Sequence, residues 1–318
     1  MRGRGEGPGP DGRRVEAAVP ATARLPPHAQ PPRPSPLPRT GEGIPAHRRG
    51  PRKETDDPMP TIDLNSDLGE GFGDYRCGDD AAMLAIVTSA NVACGMHAGD
   101  PQIMARTFAL AAENGVAVGA HPGFPDLWGF GRRVLPYSPA EIERIVAYQV
   151  GAAQALAAYA GHRVTYVKTH GALANHAAAH EEVARAIARA VRAVDRDLAL
   201  LAIALTAQVR AGEALGLEIH QEIFADRGYT EEGQLIPRGQ PGALIEEPRE
   251  AAARVAAMVE EGAIIAASGK RLQTPIRSIC VHGDSPNAVA TARAVRATLE
   301  AAGVTLAPFR PAPVRPAP

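Results

Sequence analysis

The sequence predicts an α/β fold with a parallel sheet, closed as one barrel of strands and helices. Seven short apolar runs alternate with helical segments between residues 61 and 282. Parallel neighbours cannot be joined by a hairpin and need a helical crossover, so strict alternation implies a parallel sheet. The patterned part of the chain begins near Met59 and leaves 260 residues of the 318, a length that suits a single (β/α) barrel.

The predicted strands are Thr61–Ser66, Ser89–Cys94, Val116–His121, Val164–Thr169, Leu198–Ala204, Glu218–Ala225 and Ser278–His282. The clearest helix is Pro139–Ala160, where Ile142, Ile145, Val146, Gln149, Val150, Ala153 and Leu156 recur at three- and four-residue steps. Its start, Ser138-Pro139-Ala140-Glu141, is a capping box with proline at the first helical position. Asp100-Pro101 and Ser285-Pro286 predict helix starts of the same kind, and Glu247-Pro248 a weaker one. Glu181–Val194 and Pro286–Ala302 read as Ala-rich helices with charged outer faces, and residues 262–275 as a hairpin-like insertion turning at Gly269.

Composition bounds the function. Hydrophobic residues make up 45% and charged residues 22%, an ordinary globular balance. A formal net charge of -1 argues against a surface that seeks nucleic acid or membrane, and 4% aromatics disfavour a stacking platform for single strands. No apolar run reaches the roughly 18 residues of a membrane span. Cys77, Cys94 and Cys280 form no disulfide framework, which points to a reducing cytoplasm.

Residues 1–58 differ from the rest. They hold 13 of the 29 prolines, with eleven Lys and Arg against seven Asp and Glu, a local charge of +4. Such a segment buries too little apolar surface to offset ordering its backbone. The expected organisation is therefore a disordered extension over 1–58, with Met59 as an alternative start, a barrel domain over 59–309, and a Pro-rich tail over 310–318.

Polar residues gather where the strands end. Side chains alternate along a strand, so Asp63, Asn65 and Asp67 share a face, followed by Glu70. The second strand runs into His97 and Asp100, and the third ends at His121. Lys168 and His170 share a face at the fourth. The sixth gives Glu222, Asp226 and Arg227, and the seventh gives His282 and Asp284. In parallel α/β folds the C-terminal edge of the sheet carries the chemistry. Each residue also has a structural reading. Asp100 reads as a helix cap, and Asp284 as a distant cap for the last helix. Cys94 reads as a small buried residue or as a nucleophile beside His97. Arg132-Arg133 reads as a solvated loop pair or an anion clamp. Lys168, ending an apolar strand, needs a partner or a ligand. Gly69, Gly71 and Gly73 do not form GxGxxG, and Gly269-Lys270-Arg271 is not a P-loop.

Asp63–Gly73, the stretches around His97 and His121, Phe224–Arg227 and Cys280–Pro286 together resemble the LamB/YcsF family, the A subunits of bacterial ATP-dependent 5-oxoprolinases. The resemblance runs from about Met59 to Phe309. Thr169 stands where that family usually has proline, and Ala174 where it usually has tyrosine. The resemblance implies the seven-stranded barrel of the glycoside hydrolase and deacetylase type. It also implies ring opening of 5-oxo-L-proline to L-glutamate, with ATP (and Mg²⁺) consumed, alongside the B and C subunits.

That reaction accounts for the residue types. Phosphorylating a lactam oxygen turns it into a good leaving group, and the site then needs cations, a base and a carboxylate clamp. On this reading Lys168 and Arg227 bind anions, with Arg132 or Arg133 as a second clamp, and Glu222 and His282 belong to the substrate and phosphate site. His97, His121 or His170 serves as general acid or base. Asp67, Glu70, Asp226 and Asp284 orient these groups or hold Mg²⁺. Lys168→Met is expected to abolish turnover with the fold intact. Two other readings stay open: a deacetylase-type hydrolase with an ion on Asp67, His97, His121 and His282, and a non-catalytic chain that binds a lactam or sugar.

Overall fold

A computed structural model describes residues 61–310. The extension expected at 1–58 and most of the expected tail lie outside the described residues. The described strands are β1 (Thr61–Leu68), β2 (Ser89–Ala93), β3 (Ala117–His121), β4 (Val164–Val167), β5 (Ala199–Ile203), β6 (Ile219–Phe224), β7 (Ala263–Ile265), β8 (Arg271–Gln273), β9 (Ser278–His282) and β10 (Thr305–Leu306). The helices are α1 (Asp80–Leu84), α2 (Pro101–Glu113), α3 (Pro139–Tyr159), α4 (Gly171–Ala179), α5 (Glu181–Val194), α6 (Ala207–Ala214), α7 (Pro248–Glu261) and α8 (Ala288–Ala301).

β1 pairs with β2 on one side and β9 on the other, so β1-β2-β3-β4-β5-β6-β9 closes into a ring in which every pairing is parallel. This is the seven-stranded parallel (β/α) barrel. β10 lies outside the ring beside β1, and β7 and β8 form an antiparallel hairpin with Gly269 at its turn, as the sequence predicts.

Local sequence explains the helices that surround the ring. In α3 the Ser138 side chain accepts from Glu141 N–H while the Glu141 carboxylate accepts from Ser138 N–H, and Pro139 needs no partner at the first position. Asp100 caps α2 by accepting from the N–H groups of Gln102 and Ile103. In α5 Val183, Ala184, Ile187, Ala190 and Val191 form one apolar face toward the barrel, while Arg189 reaches Glu143 on α3 at 2.7 Å.

The start of the last helix differs from expectation. Ser285-Pro286 turns without entering the helix, and Asn287 takes the cap position with no side-chain hydrogen bond. Asp284 does not cap α8, because its carboxylate is taken by Arg132 at 2.6 Å.

The lumen is polar over much of its length, which is unusual for a barrel interior. Asp63 accepts from Thr88, Ser89 and Ser278. One level up, Asn65 donates to Glu222 and Ser278 and accepts from Asn91 at 2.7 Å. Tyr166 donates its hydroxyl to Asn91 at 2.7 Å. Asp67 then accepts from Asn91 and Lys168, each at 2.8 Å. The shared face of Asp63, Asn65 and Asp67 therefore forms a ladder that rises through the barrel to its C-terminal mouth.

Candidate active site

Lys168 follows β4 and points its ammonium into the lumen, buried beneath the mouth. Its Nζ lies 2.8 Å from Asp67, 3.2 Å from Glu222, 3.2 Å from Asn65 and 3.0 Å from Cys280 Sγ. Burial alone would push the amine down, but the charges of Asp67 and Glu222 hold it well above the usual lysine range. Burial likewise pulls Asp67 upward, yet His121, Lys168 and His282 outweigh it and hold its carboxyl well below the usual range. Lys168 is thus a neutralising centre between two buried carboxylates. The expectation that Lys168→Met spares the fold is corrected on this ground, because it would leave two buried acids without their cation.

His282 ends β9, and its Nδ1 lies 2.8 Å from Asp226, which follows β6. Burial raises the Asp226 carboxyl, but His282 more than offsets it and leaves it below the usual range. The other ring nitrogen faces Asp67 at 3.9 Å.

A second group lies beside this one. His97, His121 and His170 come from three different strand ends and meet Glu70, all four buried. His97 stacks on His170 with ring centres 3.7 Å apart. Gly123 and Gly131 make room for it: a Cβ at Gly123 would lie 2.6 Å from His97 Nδ1, and one at Gly131 would lie 2.7 Å from His97 Cβ. Burial pushes His97 and His170 well below the usual imidazole range and pushes Glu70 well above the usual carboxyl range.

A cavity of about 380 Å³ opens over these groups, bordered by Asp67, His121, Lys168, His170, Arg227 and His282. Arg132 and Arg238 stand at its rim. Arg132 lies over the Phe130 ring and holds Asp284. Arg238 makes no hydrogen bond or ion pair among the described residues, and burial together with the nearby Arg132 charge lowers it from its ordinary value. Thr169 and Ala174 also border the cavity, and Thr169 accepts from Gln208 at 2.9 Å.

The structure sorts the remaining sequence candidates. Arg133 is bound to Asp126 away from the cavity, so of the Arg132-Arg133 pair only Arg132 faces it. Arg227 lines the cavity, but its guanidinium donates to the carbonyls of Ala243 and Ile236, so part of its work is holding the loop. Glu222 lies beneath Lys168 and does not border the cavity. Cys94 is a buried thiol pushed up to about 12 by burial, not a nucleophile. Asp67, His97, His121 and His282 do not gather around one point: His97 and His121 meet Glu70 and His170, while His282 lies with Asp67 and Cys280, and the two groups touch where His121 Nε2 lies 3.4 Å from Asp67 Oδ2. Sequence reasoning missed Arg238 and the lumenal Asn91 and Tyr166. For Arg238, Pro237-Arg238-Gly239 in a long loop after the Asp226-Arg227 strand end was the available signal.

A ring of seven parallel strands with its polar groups collected at the C-terminal mouth defines a parallel (β/α) barrel with a polar site at the strand ends. Residues 62–313 match the LamB/YcsF family, and the chain belongs to that family. It is 64% identical over 253 residues to the A subunit of 5-oxoprolinase from Azorhizobium caulinodans, an alignment covering 80% of this chain and 100% of that one. Against the A subunit of 5-oxoprolinase from Gluconobacter oxydans it is 61% identical over 246 residues, covering 77% of this chain and 97% of that one. The crystal structure of the lactam utilization protein from Thermus thermophilus superposes with a TM-score of 0.74 at 44% identity, covering 79% of this chain and 100% of that one. Among the described residues no helix is long and apolar enough to cross a membrane.

Proposed function

We propose that this chain is the A subunit of a 5-oxoprolinase and that its barrel mouth takes 5-oxo-L-proline for hydrolytic ring opening to L-glutamate, driven by ATP with Mg²⁺ and completed by the B and C subunits. The observation that carries this reading is one cavity of about 380 Å³ bordered by a buried ammonium, a carboxylate-held imidazole and rim guanidinium groups. Its size suits a five-membered lactam acid, and its cations suit the ring carboxylate and a transferred phosphoryl group. The names of the relatives support the same substrate class.

In this reading Arg132 and Arg238 receive the carboxylate at the rim. Phosphoryl transfer from ATP to the lactam oxygen weakens the amide, and Lys168 with Arg227 keeps that end of the cavity positive. His282, oriented by Asp226, takes a proton from water as the water oxygen bonds to the lactam carbon. The ring C–N bond then breaks and the proton passes to the departing nitrogen, leaving an acyl phosphate. ADP has left at the transfer step, and a second water cleaves the acyl phosphate to L-glutamate and inorganic phosphate. This places the base on His282 in preference to buried His97 and to His121 and His170, which border the cavity but turn their facing nitrogens toward each other at 3.1 Å.

The test is reconstitution of the full chain with the B and C subunits, 5-oxoproline and ATP, following glutamate. Release above a control lacking this chain supports the reading. No release overturns it, and lactam binding without release would make this a non-catalytic binding protein.

A further inference from the structure

We propose that Glu70, His97, His121 and His170 form a binding site for one divalent transition-metal ion of the zinc class. Each residue offers one donor atom, and the four atoms lie within 4.8 Å of one another. The separations approach those a coordinated ion imposes. His121 Nε2 and His170 Nδ1 are 3.1 Å apart, His170 Nδ1 and Glu70 Oε1 3.4 Å, and His97 Nε2 and Glu70 Oε1 3.7 Å. A tetrahedral ion with bonds of about 2.0–2.1 Å spaces its ligand atoms about 3.3 Å apart.

Hydrogen bonding fixes which lone pairs face inward. His121 Nδ1 lies 2.8 Å from the Lys168 carbonyl, and His170 Nε2 lies 2.8 Å from the Phe130 carbonyl. A carbonyl only accepts, so both of those nitrogens carry the hydrogen. In the neutral rings His121 Nε2 and His170 Nδ1 then confront each other with lone pairs. Bonds of this kind to the far nitrogen also fix the ring orientation of metal-bound histidines.

The group is incomplete without a cation. Both nitrogens of His97 and Glu70 Oε1 are buried with no hydrogen-bond partner. Buried polar atoms are nearly always satisfied, and an unsatisfied one costs about 1–3 kcal/mol. His121 Nε2 also lies 3.4 Å from Asp67 Oδ2, so a proton there, shared with His170 or Asp67, relieves the contacts of His121 and leaves His97 and Glu70 as they were. One cation relieves the confronting lone pairs, the carboxylate oxygen and a His97 nitrogen together. The stack of His97 on His170, with planes 8° apart, keeps a single ion out of both ring planes, so uptake requires His97 to tilt. No hydrogen bond holds His97 back from doing so.

Three imidazoles and one carboxylate favour zinc, cobalt or nickel over magnesium or calcium, which prefer oxygen ligands. His121 and His170 also border the cavity, so the ion would lie against the substrate space.

The test reads bound metal, so it stands or falls separately from the lactam reading. The full chain is stripped with a chelator, dialysed, and titrated with Zn²⁺, Co²⁺ or Mg²⁺ by calorimetry, with visible absorption following Co²⁺. One equivalent of Zn²⁺ and of Co²⁺, the latter with the intense bands of a four- or five-coordinate centre, and no comparable Mg²⁺ binding, is the expected result. His97→Ala breaks no hydrogen bond but empties a buried ring's space, so it is expected to melt below the parent while staying folded by circular dichroism, and to lose Zn²⁺ affinity by more than about 10-fold, the lower figure for loss of an outer partner. His121→Ala serves as the second variant and loses affinity likewise. Stoichiometric Zn²⁺ absent from the parent chain, equal Mg²⁺ binding, or undiminished affinity in both variants overturns the proposal.

Discussion

Lys168 Nζ stands 2.8 Å from Asp67 inside the barrel, and the same ammonium is 3.2 Å from Glu222. One cation therefore stands between two buried carboxyls, and burial raises that of Glu222 above its ordinary value. Removing one partner of a buried ion pair costs about 3–5 kcal/mol, because the remaining charge is left uncompensated. Lys168→Met is expected to lower stability by about that amount and to abolish glutamate release. Adding Glu222→Gln to Lys168→Met should cost less than the sum of the two single changes. Urea denaturation of the four proteins checks this, and an unchanged midpoint for Lys168→Met would contradict the role given to it.

The bond between Asp226 and His282 predicts a graded loss of activity. Replacing His282 by Gln removes the proposed base and should cut glutamate release by about 10²–10⁴-fold. Asp226→Asn keeps a partner for the ring but removes the charge that fixes its orientation, so it should cost less than the His282 change. Asp226→Asn should melt near the parent chain because it keeps the His282 stack on Phe224, and His282→Gln, at a partly buried position, should melt slightly lower because it gives that stack up. Equal turnover in the parent and His282→Gln chains, measured in the reconstituted system, would remove the base from this residue.

Much of this architecture was legible along the chain. Apolar runs with strand length marked all seven barrel strands, and proline with a capping residue marked the starts of α2, α3 and α7. Ser285-Pro286 misled, because Asp284 is drawn to Arg132, which is 152 positions away. The sequence put Asp63, Asn65 and Asp67 on one face but could not aim that face. Ring closure aims it, since β1 lies between β2 and β9 and turns the acids into the lumen. The grouping of Glu70 with three histidines was hidden for a similar reason: each comes from a different strand end, and only the barrel brings the ends together. Arg238 was hidden because its loop has no period to read.

Asp63 gives the barrel a pH signature. Burial raises its carboxyl from 3.8 to about 6, against the hydroxyls of Ser278, Ser89 and Thr88, with Glu222 adding to the rise. The folded chain therefore holds this proton more tightly than the unfolded chain between those values, and folding stability falls as pH rises through that window. The full contribution is about 3 kcal/mol at 1.36 kcal/mol per pH unit. Asp63→Asn fits the same space and cannot ionise. The stability of the parent relative to Asp63→Asn should decline by about 2 kcal/mol from pH 4 to pH 6 and level off near pH 7. Denaturation curves at pH 4, 5, 6 and 7 measure it, and a constant difference would show that Asp63 does not titrate in this window.

Gly95 and Gly131 separate backbone strain from crowding at the histidines. Both have positive φ, +86° and +62°, so alanine at either carries a left-handed backbone cost of about 1 kcal/mol. Around Gly95 a Cβ meets nothing within 4 Å, whereas at Gly131 it would lie 2.7 Å from His97 Cβ and 2.8 Å from His170 Cδ2. Overpacking of a filled interior adds about 1–3 kcal/mol, so Gly131→Ala should be destabilised by that much more than Gly95→Ala. The closest of these contacts is with His97 Cβ, so the extra cost should shrink when Gly131→Ala is combined with His97→Gly, which removes that Cβ together with the ring. Thermal denaturation of Gly95→Ala, Gly131→Ala, the single His97 variant, the double variant and the parent gives the comparison. Equal losses for Gly95→Ala and Gly131→Ala would mean that the stacked imidazoles are free to move aside.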